Sequence, residues 1–276
     1  MPVSEPLVVI AGSTRIIGEF RPGSSPTVVL LHSGVSDRRS WRGVIDGLPG
    51  DIAVVAYDRR GFGETTPPVD TFTHVGDLLA VLDQVGRQTV WLVGSSMGGG
   101  LALDTALSAP ARVAGLVLLA PAVSGAPEPT IDPVTMAMFE AAGEAAERGD
   151  LEEVNRLATW LWLDGPHAPE GRVSGPAREL SLEMNRVALA NDVPEDAGDS
   201  GIDAWARIGE IEVPAITACG DLDAPFLVER TRELADRLPR GEHRVLHGMA
   251  HLAYLEDPAS VAQIVTDALT RWPRSG

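Results

Sequence analysis

Short β-branched apolar runs alternate along this chain with segments whose apolar residues recur every three or four positions. LVVIA (7–11) and RIIGEF (15–20) predict an opening pair of strands. TVVLLH (27–32), IAVVAYD (52–58), TVWLVG (89–94) and VAGLVLLA (113–120) predict successive strands buried on both faces. THVGDLLAVLDQVG and MGGGLALDTALSAP, between and after these runs, have helical spacing. From about 122 to 212 the alternation stops. VTMAMFEAAGEAAERG, LEEVNRLATWLWL and GPARELSLEMNRVALA read as helices punctuated by proline and glycine. Strand and helix then alternate again: VPAITACGD, FLVERTRELADRL, EHRVLH and SVAQIVTDALTRW. The pattern predicts an α/β domain, a mostly parallel sheet flanked by helices, formed by 1–121 and 213–276. Residues 122–212 form a helical insertion.

At 276 residues and 44% apolar, the chain can bury a sizeable core. All 22 basic residues are arginine, which excludes Schiff-base chemistry, a pyridoxal phosphate anchor and a Walker-type phosphate loop. The formal charge of −17 opposes nucleic acid and anionic membrane as partners. No run has the length of a membrane span and the N-terminus lacks a secretion signal, so a cytoplasmic location is expected. A single cysteine, Cys219, rules out an internal disulfide and a cysteine-built zinc site, and its apolar run predicts a buried, inert thiol. The chemistry is expected to need no cofactor and no metal. The partner is a small-molecule substrate; monomer and homodimer both remain open.

One short stretch stands out: Gly94-Ser95-Ser96-Met97-Gly98, between a strand and a helix. Centred on Ser96 it is a G-x-S-x-G. A sharp strand-to-helix turn strains the central residue, and flanking glycines make room for it. The serine hydroxyl then stands clear of the sheet, and the Met97 N–H at the helix start points at developing negative charge. Centring on Ser95 fails, because Val93 takes the glycine position. The pentapeptide is weak alone; its strand–turn–helix context raises it.

A serine nucleophile needs a histidine base and a carboxylate that orients it. His251 lies four residues past the end of a strand, in a loop before a helix. His247 ends the strand itself and reads as structural. His74, His167 and His243 read as surface groups. For the acid, Asp223 stands at the loop apex before Pro225, whereas Asp221 follows Gly220 closely and reads as a turn cap. The order Ser96, Asp223, His251 is that of one fold.

On these residues the chain resembles α/β-hydrolase-fold enzymes with a helical cap. LLHSGVSDRRSW resembles the family's His-Gly-x oxyanion loop, with Ser33 at the glycine position. The resemblance makes the Gly34 N–H the second oxyanion donor beside Met97. YDRRGFGETTPP resembles D-x-R-G-x-G-x-S, with Thr65 at the serine position, and AHLAYLEDP resembles the catalytic-histidine signature. In that family the Asp58–Arg59–Arg60 segment braces the loops. Arg38, Arg39 and Arg42 read as solvated. The cap implied for 122–212 roofs the cleft, which makes Trp160, Trp162, Met136 and Phe139 candidate pocket residues, although such residues at helical spacing also build cores. Trp41 and Met138 have the same two readings. This segment holds 19 acidic and 6 basic residues, which sets it against anionic substrates unless the charges all face solvent.

The resemblance implies a serine hydrolase of an ester, thioester or lactone. GSSMGGG is also similar to carbon–carbon hydrolases and to cofactor-free haloperoxidases or perhydrolases. A non-catalytic ligand receptor on the same fold is the remaining alternative.

Overall fold

The computed structural model describes residues 4–24, 26–194 and 196–272; residues 1–3, 25, 195 and 273–276, including both outer ends of the expected core segments, lie outside the described residues. The predicted strands all form: β1 (Glu5–Ala11), β2 (Thr14–Arg21), β3 (Thr27–Leu31), β4 (Ala53–Tyr57), β5 (Val90–Ser95), β6 (Val113–Leu119), β7 (Ala215–Gly220) and β8 (Gly241–Leu246). They make one sheet in the order β1-β2-β4-β3-β5-β6-β7-β8. The β1–β2 and β2–β4 pairs are antiparallel, and the rest of the sheet is parallel.

Successive strand residues point to opposite faces, so each central strand feeds two cores. Val29 and Leu31 join one cluster, Val28 and Leu30 the other. The first cluster is covered by α2 (His74–Gln84) and α3 (Met97–Ser108); the second packs on α1 (Arg42–Gly47) and on α10 (Pro258–Arg271). Continuous apolar runs such as TVVLL are the price of burial on both faces.

Between β6 and β7 the chain leaves the sheet and forms α4 (Pro133–Glu147), α5 (Leu151–Thr159) and α6 (Pro176–Asn191), then the short α7 (Ala204–Arg207). Asp132 and Asp150 cap α4 and α5 by accepting first-turn N–H groups. The expected single helix over LEEVNRLATWLWL is interrupted. After Thr159 the backbone widens into a π-turn, Trp160–Asp164, closed by the Gly165 N–H donating to the Trp160 carbonyl at 3.0 Å. Gly165 has φ +96°, and a Cβ there would collide with the Leu222 carbonyl. The core resumes through β7, α8 (Pro225–Arg237), β8, α9 (Ala253–Glu256) and α10. Among the described residues no helix is long and apolar enough to cross a membrane.

The loop after β4 is a brace. Asp58 accepts the N–H groups of Arg38 and Glu64 at 2.8 and 2.9 Å and is ion-paired with Arg38. Thr65 Oγ1 accepts the Ile17 N–H at 2.9 Å, tying the loop to β2. Arg38 and Arg39 are therefore not the solvated charges their sequence suggests. Arg38 also reaches Glu64, and Arg39 spans from Asp37 to Glu183 on α6. Burial pushes the Asp58 carboxyl from 3.8 up to about 6, despite these donors. In that interval the folded chain holds a proton the unfolded chain has released. Stability from this group is thus greatest below about pH 4 and declines as pH rises to about 6. Relative to Asp58→Asn, the parent protein should lose denaturant resistance over that interval. A difference that stays constant between those pH values would refute it.

Candidate active site

β5 runs straight into α3 through Ser96, which has φ 51° and ψ −117°. A non-glycine residue in that region costs roughly 1–3 kcal/mol and persists only where its surroundings hold it. Here they do. Ser96 N–H donates to the Leu119 carbonyl at 2.9 Å, and its own carbonyl accepts from Gly100 and Ala122 at 3.0 and 2.9 Å. A Cβ on Gly94 would collide with the Gly98 carbonyl, and one on Gly98 with the carbonyls of Leu31 and His32. Both positions need glycine for close approach, not for φ. Met97 opens α3, so its N–H has no partner within the helix.

His251 and Asp223 meet behind this turn. His251 Nδ1 lies 2.8 Å from Asp223 Oδ2, with both side chains buried. The carboxylate can only accept, so Nδ1 carries the proton and Nε2 is the free basic nitrogen. Asp223 Oδ1 accepts the Ala224 N–H at 2.7 Å. The Cys219 thiol, at 3.5 Å, donates to Oδ2. Burial and the neighbouring Asp223 hold that thiol far above its ordinary range. Cys219 stays protonated, and nothing in the sequence signals this contact. The rival pair is separate and exposed: His247 Nδ1 lies 2.9 Å from Asp221 Oδ2, and Asp221 Oδ1 caps the turn through the Gly248 N–H at 2.7 Å.

The loop after β3 carries His32, Ser33 and Gly34. His32 is fully buried; its Nδ1 lies 2.7 Å from the Ser33 carbonyl, and its Nε2 accepts the Arg59 N–H at 3.0 Å. Those roles fix a neutral tautomer, and burial followed by Arg59 drives its pKa well down. Arg59 Nη2 donates to the carbonyls of His32 and Ser33 at 3.3 and 3.0 Å. Burial lowers this arginine to about 10. Ser33, at the family's glycine position, joins Ser36 and Tyr254 in a hydroxyl chain at 2.9 and 3.1 Å. Tyr254 stacks on Trp41, which is core.

Ser96, Met97, Gly34 and His251 all line one cavity of about 540 Å³. Its opposite wall comes from the inserted helices, mainly Leu151, Val154, Ala158, Trp162, Ala188 and Leu189. Trp162 packs on His251, ring centroids 4.7 Å apart. The other three pocket candidates do not line it. Trp160 points its Nε1 at the Ala168 carbonyl, 2.9 Å away. Met136 is 39% exposed on the outer side of α4. Phe139 packs behind Trp162, at 6.0 Å. Met138 is core. His74, expected at the surface, lines the cavity instead, and burial followed by Arg59 and Arg60 lowers it to about 3.

The inserted segment is stitched to the His251 loop. Arg172 donates to the carbonyls of Leu163, Asp164 and Gly248 at 2.8, 2.7 and 3.0 Å and pairs with Glu256 at 2.7 Å. Glu256 in turn accepts the Ala250 N–H at 2.6 Å, and the Leu252 N–H donates to the Trp162 carbonyl at 3.1 Å.

The cavity's charges are few. Arg60 is the only arginine lining it among the described residues, and its guanidinium is spent on Asp77, at 2.8 and 2.9 Å, and on Asp70. Of the segment's described acids only Asp192 lines the cavity. Others, such as Glu152, Glu153 and Glu170, pair with arginines on the outside. The acidity of 122–212 is mostly a surface property.

Comparison with known proteins places this architecture. The family described as alpha/beta hydrolase fold matches residues 26–258. A Bacillus subtilis protein provisionally named 2-succinyl-6-hydroxy-2,4-cyclohexadiene-1-carboxylate synthase is 28% identical over 96% of this chain and 97% of its own length. A pimeloyl-[acyl-carrier protein] methyl ester esterase of Yersinia enterocolitica is 27% identical over 87% of this chain and 92% of its own. The solved structure of a thermophilic esterase from Thermogutta terrifontis superposes with a TM-score of 0.77 at 20% identity, covering 99% of this chain and 100% of that one; at that identity the likeness concerns the fold. With the family matched over most of its length, the chain belongs to the alpha/beta hydrolase fold family and is a hydrolase.

Proposed function

We propose that the chain is a serine hydrolase of small neutral esters, thioesters or lactones, acting through an acyl-enzyme. One observation carries the reading: a strained Ser96 and an Asp223-held His251 open onto the same apolar cavity. Ser96 Oγ attacks the carbonyl carbon while His251 Nε2 takes its proton. Asp223 holds Nδ1–H and stabilises the imidazolium that forms. The N–H groups of Gly34 and Met97 bind the oxyanion. The imidazolium then protonates the leaving oxygen or sulfur, and water, activated by the same nitrogen, releases the acid. Residues 122–212 act as the cap, with Trp162 shielding His251 from solvent.

The lining supports a neutral substrate. The Bacillus relative is named for a carboxylate, but among the described residues this cavity offers no free guanidinium to receive one. Treatment with a fluorophosphonate should label Ser96, read by peptide mass spectrometry. A label on Ser95, or none on an active enzyme, would overturn the assignment. A neutral ester should be hydrolysed with higher kcat/KM than its carboxylate-bearing analogue. The reverse order would remove the claim about charge.

A further inference from the structure

On the cap side of the cavity a single amide interrupts the hydrocarbon. Asn185 is only 3% exposed, and it lies with Ala188 and Leu189 on the face of α6 that lines the cavity. A buried amide has two N–H donors and an acceptor oxygen to satisfy, and each left unmatched is costly. Its orientation is forced. Asn155 on α5 points Nδ2 at the Leu182 carbonyl, 2.9 Å away. A carbonyl only accepts, so Asn155 turns its Oδ1 toward Asn185, which meets it with Nδ2 at 2.9 Å. One N–H of the Asn185 amide is committed to Asn155, which fixes Oδ1 as the acceptor left facing away from that contact. Among the described residues nothing donates to it.

We propose that Asn185 Oδ1 recognises the substrate, and that the compound hydrolysed carries a hydroxyl or an amide N–H on the part that reaches the cap. This rests on the serine hydrolase reading and narrows its substrate class. The carbonyl end is held at Ser96, on the core wall; the donor end is held at Asn185, on the cap wall. A plain hydrocarbon chain strips water from Oδ1 and gives nothing back, which is how a site built around a hydrogen bond rejects an analogue lacking it.

The test compares kcat/KM for matched nitrophenyl esters: an acyl chain ending in a hydroxyl against its methyl ether, and one bearing a secondary amide against its N-methyl form. The donor-bearing member should win by about tenfold or more. A preference in one pair only supports the proposal and names the donor. In Asn185→Leu the ratio should fall toward one. Asn155→Leu, which lets the Asn185 amide turn over, should also reduce it. A ratio near one in the parent protein, with hydrolysis still dependent on Ser96, overturns this proposal alone. So does a preference that survives Asn185→Leu. Hydrolysis that survives Ser96→Ala overturns instead the reading beneath it. A parent ratio near one overturns the proposal even if neither variant folds.

Discussion

Replacing Ser96 by alanine is expected to lower kcat for ester hydrolysis by roughly 10³-fold or more, with little change in KM. His251→Ala should match it, because nucleophile and base act as a unit and the loss of either removes the same step. Asp223→Asn should cost nearly as much. An asparagine can present its NH₂ to Nδ1, which forces the imidazole into the wrong tautomer. It also offers no charge to the imidazolium. Asp221→Asn should be almost silent, since that carboxylate serves an exposed turn with His247 and the Gly248 N–H. Single-turnover kinetics on the four variants checks this. If Asp221→Asn is crippling and Asp223→Asn is mild, the two carboxylates exchange roles.

Arg59→Leu should injure both stability and rate without touching a reacting group. The side chain is 2% exposed and donates to the carbonyls of His32 and Ser33, the residues just before Gly34. Without it the buried His32 carbonyl loses its donor, at about 1–3 kcal/mol, while the Ser33 carbonyl keeps His32 Nδ1–H. The leucine recovers some apolar burial, so a net loss at the lower end of that range is expected. The loop that presents the Gly34 N–H is then free to drift. Because a shift of about 1 Å can cost roughly 10²-fold, kcat should fall on that order while KM moves little. A destabilised variant with parental kcat would mean that the loop holds its position through the Ser33–Ser36–Tyr254 hydroxyls instead.

Much of the architecture is legible in the chain because its strands are continuous apolar runs. TVVLL and VAGLVLL have no polar face, so only a doubly covered strand or a buried helix suits them, and their length decides for strand. The Ser96 turn is legible because Gly94 and Gly98 have a steric reason to be glycine. The Asp223–His251 pairing is legible from what a serine nucleophile requires and from the loop positions of the two residues, although they lie far apart along the chain. Other positions are illegible from local pattern. His74 follows a capping threonine and reads as a surface helix start; its burial comes from distant packing. Arg38 and Arg39 read as solvated because Asp58, Glu64 and Glu183 lie far along the chain. Trp160 and Trp162 stand two apart, on opposite faces by helical spacing, and the local pattern does not say which one meets the cavity; Trp162 reaches His251, and Trp160 bonds the Ala168 carbonyl.

The Arg172 clamp also bears on how such a protein can change over generations. Its hydrogen bonds join the turn that carries Trp162 to the loop that carries His251. On the proposed roles, a substitution on that edge would move the base along with the wall of the cavity, so an altered substrate range there is expected to come with an altered rate. Helix α4 has Val134 and Met136 on its outer side and no such tie to the His251 loop among the described residues. On the proposed roles, lining positions away from that clamp, such as Val154 and Leu189, can change the cavity wall without moving His251, whereas a change at Arg172 alters both.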